Sequence, residues 1–211
     1  MRALALLFLA LLLGACASTG PARDRLSAED PALTGALALD ASTSADLPRL
    51  IASHEATVLV WWASSCPCVR RYHARIEALP ATWGPRGVAV VAVSSNADDS
   101  PERLRATVAE RGLSLPLVLD PGAALAASLR VVSTPTVVVV DREGRVRFHG
   151  WIDNERTPGT RGRQAWLDDA LEAVLAGHEP SVARSPAWGC TITRSLGGGG
   201  RCIAPPTADG P

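Results

Sequence analysis

The chain has 211 residues, 47% of them hydrophobic, and its 21 basic and 21 acidic side chains cancel. That length and apolar fraction fit one domain with extensions and a real core. The balanced charge, with no basic tract carrying interleaved aromatics, argues against a nucleic-acid-binding surface.

Residues 1–16 carry the marks of a targeting segment. Arg2 supplies a short positive region, and residues 3–13 form an apolar run too short to span a bilayer comfortably. Leu13-Gly14-Ala15-Cys16 then resembles the lipobox of bacterial lipoproteins. The resemblance implies a signal peptide over 1–15, cleavage before Cys16 and lipid on that cysteine. With Ala17 next, where an inner-membrane retention signal has aspartate, it implies an outer-membrane protein facing the periplasm, held to the membrane by its lipid only. An ordinary secretory signal is the alternative. In an oxidising compartment disulfides persist.

Residues 16–36, rich in Ala, Ser, Thr, Pro and Gly, read as a flexible tether. Helical spacing at Leu47, Leu50 and Ile51 predicts a helix over 44–53, and residues 57–62 predict a buried strand. A helix over 66–79 follows, with apolar positions at Val69, Tyr72, Ile76 and Leu79. Residues 87–93 are a second buried strand. Residues 101–111 form a helix capped by Ser100, opened by Pro101 and ended by Gly112. A short strand over 116–119 and a short helix over 123–129 come next. Residues 136–140 are a strand whose hairpin partner is 145–150, and a helix over 163–176 closes the series. Strands alternating with helices, then a hairpin and a last helix, predict a mixed sheet covered on both faces.

The chemistry concentrates at one junction. The apolar run Val58-Leu59-Val60-Trp61-Trp62 leads through Ala63-Ser64-Ser65 into Cys66-Pro67-Cys68. A cysteine where a strand hands over to a helix has its sulfur beside unpaired N–H groups of the first turn. The partial positive charge there favours thiolate, the nucleophile in disulfide exchange and peroxide reduction. Pro67 suits the first helical position and places Cys66 at the cap.

With this junction, Ser133-Thr134-Pro135-Thr136 before a valine strand, and the order of elements, the chain resembles the thioredoxin superfamily. Within it the chain is most similar to the redoxins: alkyl hydroperoxide reductase/thiol-specific antioxidant proteins and related periplasmic thiol–disulfide proteins. The resemblance covers roughly residues 37–176. It implies an α/β, thioredoxin-like mixed β-sheet flanked by helices on both faces. It also implies a cis Pro135 whose loop lies against Cys66. The expected organisation is a signal peptide (1–15), a tether (16–36), the domain (37–177) and a cysteine-bearing tail (178–211).

Two family patterns are broken. The second cysteine of CxxC is replaced by Val69, with Cys68 one residue early. The threonine found three residues before the reactive cysteine of peroxiredoxins is Ala63.

Cys66, Cys68, Cys190 and Cys202 allow three full pairings, and sequence alone selects none. Cys66 is the expected nucleophile. Cys68 is the first candidate to resolve it, through a small, strained ring. Cys190 has two readings: a structural disulfide with Cys202, or a second resolving thiol delivered by the tail. No histidine has convincing spacing for a metal site with the cysteines. The expected function is thiol–disulfide exchange with protein thiols or disulfides, or with a small thiol or peroxide, needing no bound cofactor or metal. The backbone beside Pro135 would hold the substrate chain. The alternatives are a thiol peroxidase working through a Cys66 sulfenic acid, and a non-catalytic metal-binding or assembly module.

Overall fold

The computed structural model describes residues 24–39, 46–155, 163–186, 188–194 and 202–203. A six-stranded sheet forms its centre, in the order β1-β4-β3-β2-β6-β7. The strands are β1 (Leu37–Ala38), β2 (Ala56–Trp61), β3 (Val88–Ser94), β4 (Leu117–Leu119), β6 (Thr136–Asp141) and β7 (Val146–Gly150). β2, β3 and β4 run parallel, whereas β6 and β7 add on antiparallel. The fold is the expected thioredoxin-like mixed α/β sheet.

The period-2 alternation of strand side chains splits the core into two layers. Val58 and Val60 of β2, with Val137 and Val139 of β6, face α3 (Pro67–Trp83) and α6 (Trp166–Leu175). Leu59, Trp61, Val138 and Val140 face α2 (Leu47–Ser53) and α5 (Ala124–Ser128). Every residue of β2 and β6 is buried, as a near-continuous valine run requires. α4 (Pro101–Arg111) starts where expected: Ser100 accepts a hydrogen bond from Arg103 N, and left-handed Gly112 ends it.

Three features depart from the sequence-based expectations. The helix predicted to stop at Leu79 runs through Pro80 to Trp83. A proline inside a helix costs about 3 kcal/mol, but the extra turn buries Trp83 in the core. The segment read as tether is packed from its described start. Leu26 is 3% exposed and donates its N–H to Gly144 O at 2.7 Å, and α1 (Pro31–Thr34) buries Leu33. Composition suggested a linker because two well-placed leucines among small residues leave little periodic signal.

The tail, in which no pattern was legible, forms strands. β8 (Gly189–Thr191) lies between β5 (Ser133–Thr134) and β9 (Cys202–Ile203) in a second, three-stranded sheet. Among the described residues no helix is long and apolar enough to cross a membrane. Cys16 lies outside the described residues.

Candidate active site

β2 ends at Trp61 and the chain turns through Ala63, Ser64 and Ser65 to Cys66, the N-cap of α3. Two interactions hold this turn. Asp99 accepts the Ser64 N–H and the Ser64 and Ser94 hydroxyls. Arg111 donates to Ser64 O at 2.5 Å from the end of α4. The turn is therefore clamped by groups from β3, the loop after it and α4.

Cys66 has extended backbone, and its sulfur accepts the Val69 N–H at 3.4 Å. This satisfies one of the free donors of the first turn, and the same donor stabilises a thiolate there. Val69 thus contributes to the site through its backbone, although its side chain removes the familiar second cysteine. On the other side, Cys66 Sγ lies 3.3 Å from Thr134 O. The Thr134–Pro135 bond is cis, as the resemblance implies.

Cys66 is joined to Cys190 by a disulfide, with Cα atoms 5.8 Å apart, within the ordinary range for such bridges. This is the pairing that the second reading of Cys190, as a resolving thiol, requires. The structure does not pair it with Cys202, although β9 sets Cys202 opposite Cys190 in the strand register. Nor does it pair Cys66 with Cys68, the partner placed first in the sequence analysis. Two residues apart on one helical turn, those cysteines would close a very small ring. Cys190 instead arrives on a separate strand. The three sulfurs of Cys66, Cys68 and Cys190 lie within 4.8 Å of one another, and all three residues are buried.

How Cys190 reaches the site was not legible in the sequence. Thr134 pairs with Cys190, and Ser133 with Thr191, across the β5–β8 ladder. The loop that flanks Cys66 is therefore also the template for the tail strand. Gly189 makes the approach: it has φ 136°, and a Cβ there would fall 2.1 Å from Thr134 O. One residue earlier, Trp188 packs on Trp151 with ring centroids 4.1 Å apart and meets Trp166 edge-on at 5.9 Å. Trp151 packs edge-on against Tyr72 at 4.8 Å.

A polar network fixes that aromatic stack to α3. Tyr72 donates to buried Asp153 at 2.9 Å, and Arg75 bridges Asp153 at 2.6 Å and Glu155 at 2.5 Å. Burial, then the hydrogen bond to Asp153, holds the Tyr72 phenol well above its ordinary pKa, so it stays a donor. Gly189 and Trp188 are the site residues that sequence reasoning missed as such. The Gly-Cys step at 189–190 was the available signal. His73 is turned to other work, its Nε2 lying 2.8 Å from Arg111 O.

Residues 32–149 match the AhpC/TSA family. Among solved structures, an uncharacterized conserved protein of Geobacillus kaustophilus is similar at 26% identity and TM-score 0.61, over 69% of this chain and 80% of that one. A hypothetical protein of Sinorhizobium meliloti 1021 is similar at 28% identity and TM-score 0.61, over 72% and 85%. A candidate thiol:disulfide interchange protein DsbE of Chlorobium tepidum shares the fold at 22% identity and TM-score 0.50, over 61% and 84%. No curated protein matches the sequence.

Proposed function

The chain belongs to the AhpC/TSA family, and we propose that it is a thiol–disulfide oxidoreductase of the cell envelope whose reactive pair is Cys66 and Cys190. The observation that carries this reading is the Cys66–Cys190 disulfide beside the cis Thr134–Pro135 loop. A helix-capping sulfur, a resolving sulfur on a separate strand and an adjoining cis-proline loop are the parts that exchange requires.

In the reducing direction, the Cys66 thiolate attacks one sulfur of a substrate disulfide. A Cys66–substrate bond forms, the substrate S–S bond breaks, and one substrate thiolate leaves. The Cys190 thiolate then attacks Cys66 Sγ, and the second substrate thiolate leaves as the intramolecular disulfide closes. Two electrons have passed to the substrate. The reverse sequence oxidises a dithiol. The Val69 N–H and the first turn of α3 stabilise negative charge on Cys66 at each step in which it is released. Because the tail strand occupies the edge of the Thr134 loop, it must lift for a substrate chain to lie there. Ala63, buried where peroxiredoxins have threonine, brings no hydroxyl to the sulfur, which weighs against the peroxidase alternative.

The envelope assignment rests on the lipobox-like Leu13-Gly14-Ala15-Cys16 segment. The test is trapping. With a disulfide-bonded peptide, Cys190→Ser accumulates a mixed disulfide through Cys66, and Cys66→Ser neither traps nor exchanges. Trapping by Cys68→Ser but not by Cys190→Ser would make Cys68 the resolver. Full exchange activity in Cys66→Ser would end the enzymatic reading.

A further inference from the structure

The tail strand lies on the site as an extended peptide, and its contacts show what the site accepts. Thr134 pairs with Cys190 and Ser133 with Thr191, antiparallel, and the Ile192 N–H donates to Val132 O at 2.9 Å. Trp188, two places before the cysteine, is buried and packs on both Trp151 and Trp166. We propose that the substrates are extended polypeptide segments taken in this same register, with an aromatic residue two places before the cysteine and glycine directly before it. Trp151 is the residue that selects the aromatic ring. This deepens the exchange reading and rests on it.

The slot for the ring is built without the tail strand. Trp151 follows β7, and Trp166 opens α6. Tyr72 meets Trp151 edge-on from α3 and is itself fixed by its hydrogen bond to buried Asp153. The Trp151 N–H donates to Ser185 Oγ at 2.8 Å, and the Ser185 N–H to His149 O at 3.2 Å. The chain is therefore anchored as far as Ser185, and the piece that lifts begins beyond it. When Trp188 leaves, Trp151 and Trp166 present an aromatic-walled slot to the chain that next pairs with Thr134. A ring that fills it hides apolar area from water and restores the ring contacts, whereas a small side chain does neither.

Glycine is needed one place later. A Cβ at residue 189 would fall 2.1 Å from Thr134 O and 2.8 Å from Thr134 C. Both are backbone atoms beside the cis bond, so any other L-residue there must shift the strand. Thr191, by contrast, is exposed, which leaves the place after the cysteine open. The tail strand thus competes with substrate for one site, and opening its disulfide removes the covalent hold on it.

The experiment uses the full chain carrying Cys190→Ser, with short peptides whose one cysteine is activated by a nitrothiobenzoate leaving group. The Cys66 thiolate attacks the peptide sulfur, a Cys66–peptide disulfide forms, and the coloured aromatic thiolate leaves with the electron pair. Its release gives the rate below saturation, and mass mapping places the peptide on Cys66. The peptides carry Trp-Gly-Cys, Ala-Gly-Cys or Trp-Val-Cys, and each rate is divided by that of the same peptide with free glutathione. Trp-Gly-Cys is expected to react at least about tenfold faster than either of the others. Trp151→Ala, added to Cys190→Ser, should bring the Trp-to-Ala ratio below about threefold, and Trp151→Phe should restore most of it. The ratio compares two peptides on one protein, so general damage to the fold does not move it. Should Trp151→Ala fail to fold, the peptide series on Cys190→Ser decides alone. Equal rates for Trp-Gly-Cys and Ala-Gly-Cys on Cys66, Trp-Val-Cys as fast as Trp-Gly-Cys, or an unchanged ratio in folded Trp151→Ala would each overturn the proposal and leave exchange standing. No peptide on Cys66 at all would end the exchange reading, and this proposal with it.

Discussion

Thr134 and Cys190 are cross-strand partners in the β5–β8 ladder, while the carbonyl oxygen of Thr134 lies 3.3 Å from Cys66 Sγ. One backbone unit therefore touches Cys66 and templates the strand that carries its disulfide partner. A strand paired at this position has little freedom to deliver any residue but Cys190.

The close approach depends on Gly189. Any side chain there meets Thr134 O, and φ 136° is strained for an L-residue. Gly189→Ala is expected to destabilise the oxidised protein by about 1–3 kcal/mol and to lower the yield of the Cys66–Cys190 disulfide. Urea unfolding and mass mapping measure the two effects. An unchanged disulfide yield would mean that the strand reaches the site another way.

Val69 sits against the Cys66 sulfur through its N–H, and its side chain is fully buried. Val69→Cys places a new thiol one helical turn after Cys66, the spacing of a CxxC pair. A disulfide between Cys66 and the new thiol should then compete with Cys66–Cys190, leaving Cys190 free to alkylate in part of the population. Complete retention of the Cys66–Cys190 bond would show that tail docking outweighs local pairing.

His149 offers a pH signature in β7. Burial first, and then the charge of Arg184, hold its pKa below the usual imidazole range. The unfolded chain takes up a proton near pH ~6.5, whereas the folded chain resists until lower pH. This group's contribution is thus fully present above that value, and stability falls as pH drops through the window below it. Unfolding free energies at about pH 7.5 and pH 5.5 should differ more in the wild type than in His149→Gln. Equal differences would remove His149 from the account.

For the lipid anchor, Cys16→Ser should release the protein from membranes or block its processing. Membrane fractionation and mass analysis of the mature N-terminus report this. An unchanged membrane fraction with an unmodified N-terminus would remove the anchor.

The sequence by itself determined the fold class and singled out Cys66 as the cysteine at the strand-to-helix junction. Periodicity located α2 to α6 and the strands β2, β3, β4, β6 and β7 because each buries a regular face, and regular faces leave regular patterns. Cys66 was legible because the strand-to-helix junction, Pro67 and the short turn are local signals. The cis proline was legible through the Ser133-Thr134-Pro135-Thr136 phrase. Tertiary structure alone decided the partner of Cys66. A disulfide 124 residues apart in sequence depends on where β8 docks. That docking is set by one glycine, a Trp188–Trp151 stack and a few backbone pairings with Thr134. None of these leaves a periodic trace, so Cys68, near in sequence, looked the nearer partner. The packing of Leu26 and Leu33 escaped for the same reason. Local patterns encode which face of an element is buried, whereas non-local pairing depends on the summed geometry of everything between.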